Sequence, residues 1–100
     1  MQTQATTSTS LPLQDKIAFV TGGSRGIGAA IVRRLASQGA NVVFTYQSSA
    51  AEAQALAATV KAAGGKAHGV QADAADATVL TAAIDQVAAQ CGRIDILVNN

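Results

Sequence analysis

The sequence predicts an α/β fold, the first half of a doubly wound parallel sheet with element order β-α-β-α-β-α-β. Three observations predict it. After Pro12, the only proline, short apolar runs alternate with longer helical periods, the pattern of repeated βαβ units. The first of these runs, Lys16 to Thr21, is nearly continuous, as in a strand buried on both faces, and it stops at glycines. Right-handed crossovers then place four strands in the order 3-2-1-4, with a switch point between strands one and four.

Each element has its own signal. Helix one is expected from Gly26 to Gln38, where Ile27, Ile31 and Leu35 recur every four residues with Ala30 between them; Gly39 supplies a left-handed end. Asn41 to Tyr46, rich in Val and Phe, reads as strand two. Ser49 stands three residues before Glu52 as a capping box for helix two, whose face is Leu56, Val60 and Ala63 and whose end is Gly64 and Gly65. Lys66 to Gln71 is a weaker strand three. Asp76 is expected to cap helix three, with Leu80, Ile84, Val87 and Cys91 on one side and Gly92 closing it. Ile94 to Val98 is strand four, and an uncovered outer edge there would make the isolated chain marginally stable and prone to aggregate.

Composition narrows the function. A chain of 100 residues supports one core, and 49% hydrophobic residues, 13% charged residues and a net charge of +1 exclude a nucleic-acid binder and a disordered tail. Cys91 is the only cysteine, so there is neither an intrachain disulfide nor a zinc ligand set, and a reducing, cytoplasmic setting is expected. Met1 to Ser10 has neither the basic nor the apolar part of a secretory signal; residues 1–14 read as a disordered polar leader. No apolar run approaches the roughly 18 residues of a membrane span.

In an open parallel sheet, ligands sit beyond the carboxyl ends of the strands at the switch point, which directs attention to the loop after strand one. It reads Thr21, Gly22, Gly23, Ser24, Arg25, Gly26, Ile27, Gly28. Gly22 permits a tight turn, Gly26 removes a side chain that would hold phosphates away, and Gly28 lets the helix pack close to the sheet. The helix N-terminus behind it offers N–H groups and partial positive charge to an anion. The chemistry is that of a Rossmann-type dinucleotide cradle, and residues 15–100 read as the N-terminal, incomplete part of such a domain. A P-loop is excluded, because no Lys-Ser or Lys-Thr follows the glycines.

The spacing, Gly-x-x-x-Gly-x-Gly, departs from the standard Gly-x-Gly-x-x-Gly. It resembles the T-G-x-x-x-G-x-G pattern of the short-chain dehydrogenases/reductases, and Asp95 to Asn100 resembles that family's D-x-L-V-N-N-A-G segment up to its second Asn. Within the family the chain is most similar to the 3-oxoacyl-[acyl-carrier-protein] reductases. About twenty residues after the glycines an NAD-binding domain places an Asp or Glu for the ribose hydroxyls; here Tyr46 and Gln47 stand at that position. With no carboxylate to repel a 2′-phosphate, Arg25, Ser48 and Ser49 can contact it, which points to NADP(H). Alternatively, Arg25 is a solvated side chain and Ser49 a helix cap. The resemblance implies an adenine contact from Asp73 beside Ala74, a backbone contact from Asn99 and strand bracing from Asn100. Asp73 as a plain turn residue remains open. The expected cofactor-binding set is therefore Thr21, Gly22, Ser24, Arg25, Gly26, Ile27, Gly28, Tyr46, Ser48, Ser49, Asp73, Ala74 and Asn99, with Tyr46 also read as a packing residue. His68 and Cys91 read as structural.

The resemblance implies an oxidoreductase that moves hydride between NADP(H) and a small carbonyl or alcohol substrate, as a homo-oligomer, either dimer or tetramer. The family's acid is the Tyr of a Tyr-x-x-x-Lys pair assisted by a Ser. Tyr46 is the only tyrosine here and position 50 is Ala50, so no catalytic residue is assigned and the chain alone is expected to be inactive, the cofactor-binding half of a longer enzyme. The alternative is a non-catalytic NADP-binding sensor or regulatory module. A third reading, an S-adenosylmethionine methyltransferase, wants an acidic residue where Tyr46 and Gln47 stand.

Overall fold

In the computed structural model, which describes residues 11–100, the apolar run after Lys16 becomes β1 (Ile17–Val20), buried along its whole length. It is followed by α1 (Gly26–Ser37), β2 (Asn41–Tyr46), α2 (Ala50–Ala62), β3 (Lys66–Gln71), α3 (Ala77–Cys91) and β4 (Ile96–Val98). Every strand pair is parallel, with Ile17 opposite Asn41, Asn41 opposite Lys66 and Ala18 opposite Ile96. The sheet order is β3-β2-β1-β4, the expected Rossmann-type arrangement.

Alternation along the strands divides the core between two faces. Ala18, Val20, Val42 and Phe44 meet Ala29, Val32 and Ala36 of α1 and Ala53, Leu56 and Val60 of α2. On the opposite face Ile17, Phe19 and Val43 meet Ala83 and Val87 of α3. Both phenylalanines are fully buried, each worth about 2–3 kcal/mol of burial.

The helices correct several expectations. In α1 the innermost side is Gly28, Ala29, Val32 and Ala36; Ile31 and Leu35 flank it, Ala30 is exposed, and Ile27 is 75% exposed. A helix lying close on a sheet fills its contact line with small residues, which displaces the large ones to its sides. In α2, Ala53 takes the buried place expected of Ala63, which is exposed. The capping box fails: Ser49 sits at the N-cap position, but its side chain makes no cap bond. Asp76 does cap α3, its Oδ1 accepting from the N–H groups of Thr78 at 3.0 Å and Val79 at 3.2 Å, and Gly92 ends the helix at φ +85°.

Residues 1–10 of the expected leader lie outside the described residues. Residues 11–14 form an ordered turn instead, with the Leu13 N–H donating to the Gln38 carbonyl at 2.8 Å and Leu13 packed against the core. Burial of this apolar side chain favours order over a polar leader's freedom.

β4 begins two residues later than expected because Asp95 acts as a clip. Its Oδ2 accepts from the Ile17 N–H at 2.8 Å, its own N–H donates to the Ile17 carbonyl at 2.8 Å, and the Arg93 Nε donates to its carboxylate at 2.9 Å. The Ile17 N–H, then Arg93 and Lys16, hold the Asp95 carboxyl below the usual carboxylate range, outweighing partial desolvation. A carboxyl lowered on folding stabilises the fold above its ordinary value of 3.8, and that contribution is lost as pH falls through the lower, folded value. Asp95→Asn is therefore expected to lower the urea midpoint at pH 7 and to flatten its decline as the pH falls below 3.8. An unchanged midpoint at pH 7 would contradict the clip.

Among the described residues β4 pairs only with β1 and forms one edge of the sheet, leaving Leu97 58% exposed.

Candidate functional site

Because all four strands are parallel, their carboxyl ends form one rim, and hydrogen bonds knit the segments leaving it. Gly22 (φ +64°) turns the chain out of β1, and its N–H donates to the Thr45 Oγ1 at 2.9 Å while the Gly23 N–H donates to the Thr45 carbonyl at 3.0 Å. These two bonds dock the glycine turn on the end of β2. On the other side the Asn100 N–H donates to the Thr21 Oγ1 at 2.9 Å and the Asn100 Nδ2 donates to the Gly22 carbonyl at 3.3 Å. Farther along the rim, the Ala72 N–H donates to the Tyr46 carbonyl at 2.9 Å and the Gln71 Nε2 to the Gln47 carbonyl at 3.0 Å.

The turn is packed against itself. A Cβ on Gly28 would stand 2.1 Å from the Gly22 carbonyl oxygen and 2.8 Å from the Asn100 Nδ2, so Gly28 admits the chain's own turn rather than the sheet. Close approach to the sheet belongs instead to Gly23, whose Cβ would lie 2.6 Å from the Phe44 Cβ and 2.9 Å from the Val32 Cγ2. Gly26 (φ +62°) has open space where a side chain would go.

Behind the turn, α1 opens with Arg25 at its N-cap position, with no side-chain cap and no acidic residue in the first turn. The leading N–H groups of a helix lack intrahelical partners, so this end presents donors and partial positive charge toward the rim. Arg25 projects into an open groove of about 500 Å³ between α1 and α2, lined also by Ser24, Gly26, Arg33 and Glu52. Its Nη1 stands 3.8 Å from the Glu52 Oε1.

The other expected residues fall along the same rim. Thr21 is buried and its hydroxyl, besides accepting from Asn100, lies 3.3 Å from the Asn99 Oδ1, so it joins β1 to β4. Tyr46 packs against the core, Ser48 is exposed, and Ser49 is half-buried. Asp73 follows β3, and its Oδ1 accepts from the Ala75 N–H at 2.9 Å, the turn role left open above; Ala74 is exposed. Asp73 and Ala74 lie two strands from the turn, about 10 Å across the rim, and Asn99 lies on the opposite side of it. The turn, the end of β2 and Arg25 thus come together, while Asp73 and Asn99 are separate stations. One bracing residue escaped the sequence reading, Thr45. Thr45 carried a signal: a polar residue inside an apolar buried strand needs a partner.

A parallel sheet in 3-2-1-4 order with an uncapped helix behind a glycine turn at the switch point defines a Rossmann-type α/β protein. The family model for short chain dehydrogenases matches residues 16–100, and the chain belongs to that family. It is 45% identical over 85 residues to a 3-oxoacyl-[acyl-carrier-protein] reductase of Staphylococcus aureus, an alignment covering 85% of this chain and 35% of that protein. A short-chain dehydrogenase/reductase from Serratia marcescens superposes with a TM-score of 0.85 at 60% identity, over 89% of this chain and 36% of that one. A short chain dehydrogenase from Burkholderia cenocepacia, solved in complex with NADP, superposes at 0.82 with 56% identity, over 88% of this chain and 36% of that one. The chain therefore spans about a third of the length of the relatives it matches.

Proposed function

We propose that residues 16–100 are the NADP(H)-binding part of an oxidoreductase that interconverts a small carbonyl and an alcohol. The observation that carries this is the pairing of the uncapped glycine turn with Arg25, opposite a strand end, Tyr46 and Gln47, that bears no carboxylate. The residues fit the group: Gly28 leaves no bulk over the turn, the α1 N-terminus would hold the pyrophosphate, and Arg25 with Ser48 and Ser49 would receive the 2′-phosphate. Asp73 at the adenine and the Asn99 backbone would extend the contact along the rim on the adenosine side of the dinucleotide. When bound, the dinucleotide supplies or accepts hydride. The NADP found in the Burkholderia relative supports the choice of cofactor.

No Tyr-x-x-x-Lys pair falls within the 100 residues, so these residues bind and orient the cofactor, and they alone do not turn over substrate. The single Cys91 fits a reducing cytoplasmic setting, and family resemblance implies a homo-oligomeric protein. Titration by cofactor fluorescence is expected to give NADPH binding at least about tenfold tighter than NADH, the scale of one charge-assisted contact. Equal or tighter NADH binding would overturn the cofactor assignment.

A further inference from the structure

The Arg25–Glu52 pair spans the gap between the glycine turn and the first turn of α2, across the mouth of the groove they both line. Glu52 has a folding reason to be there. Ser49 provides no side-chain cap for α2, and Glu52 is the acidic residue in its first turn, so its charge faces the positive helix end. The same carboxylate, however, engages the cation that the cofactor assignment gives to the 2′-phosphate.

We infer that Glu52 is a specificity-determining residue that opposes NADP(H): it competes with the 2′-phosphate for Arg25 and so sets how strongly NADP(H) is preferred over NAD(H). This rests on the cofactor assignment above. Binding of the phosphorylated dinucleotide exchanges one charged contact for another, the guanidinium leaving the carboxylate for the phosphate. NAD(H) has no such phosphate and leaves the pair intact, so Glu52 acts on one cofactor and not the other. With the two side chains 73% and 51% exposed, the contact given up is weak and solvent-screened, which bounds the size of the effect. Arg33 lines the same groove and offers the released carboxylate a second cation.

The test is a fluorescence titration of the full chain with NADPH and NADH, in the wild type, Glu52→Gln, Arg25→Gln and the double variant. Glu52→Gln is expected to tighten NADPH binding by about three- to fivefold and to move NADH binding by less than about twofold. The gain disappears in the Arg25→Gln background and shrinks as salt is raised. A purely structural role for Glu52 would move both cofactors together and would not depend on Arg25. If the wild type prefers NADPH but Glu52→Gln leaves its affinity unchanged or weaker, or the gain survives without Arg25, competition is refuted while the cofactor assignment stands. If the wild type shows no preference for NADPH, the cofactor assignment fails and this inference with it.

Discussion

Gly28→Ala is expected to weaken dinucleotide binding by at least about a hundredfold, because a turn displaced by an ångström loses its aim. The added methyl would lie 2.1 Å from the Gly22 carbonyl oxygen, a backbone atom that cannot rotate away. Either α1 moves off the turn or Gly22 abandons its bond to Thr45, and both separate the helix N-terminus from the anion. Overpacking of this kind also costs about 3 kcal/mol of stability. Gly26→Ala provides the comparison. Its methyl meets no protein atom within 4 Å, so the stability penalty is about 1–2 kcal/mol of left-handed strain at φ +62°, and any loss of binding comes from the methyl holding the phosphates away and not from a displaced turn. Urea denaturation and NADPH titration of both variants separate the steric effect from the conformational one. Binding at wild-type strength by Gly28→Ala would remove the turn from the site.

What the sequence made legible was whatever depends on order and local chemistry. Strand order follows from chain direction and crossover handedness, and β2 and β3 keep the bounds their β-branched and apolar runs predict. Asp76 and Gly92 act locally, so their roles survive in the fold. What required three dimensions was less legible. Counting large apolar residues put Ile27 on the buried face of α1, yet close packing on the sheet selected Ala29, Val32 and Ala36. Gly23 lies outside the family pattern, and only the position of Phe44 beneath it explains why a side chain is excluded there. Ser49 has the spacing of a capping box, but Glu52, the other half of that box, is drawn toward Arg25, a residue of the preceding βα turn that local spacing could not anticipate. The same limit applies to Asp95, whose pairing with Ile17 across 78 positions makes a motif residue into a clip between strands.

Phe44→Ala is expected to be the most destabilising single change in the core, by about 3–5 kcal/mol. Phe44 is fully buried under the face covered by α1 and α2, and its ring also lies 3.1 Å from where a Cβ on Gly69 of β3 would stand. Removing it leaves a cavity that neither strand can close without breaking its ladder. Against a typical total of about 5–15 kcal/mol, such a loss brings a domain of this size close to unfolding. By circular dichroism the melting midpoint should fall by at least about 12 °C. The site should respond differently. The turn rests on the Cβ of Phe44, which alanine retains, and the Thr45 bonds to Gly22 and Gly23 are backbone or neighbouring contacts that the substitution leaves in place. Cofactor affinity of the folded fraction should therefore change little, and NADPH at a hundred times its Kd should return about 2.7 kcal/mol by binding only the native state. Phe44→Ala then loses stability and keeps the turn, while Gly28→Ala loses the turn with a smaller loss of stability. A Phe44→Ala protein that melts within a few degrees of the wild type would mean that the ring does not hold the core together, and one that folds but no longer responds to NADPH would mean that the turn depends on the whole ring.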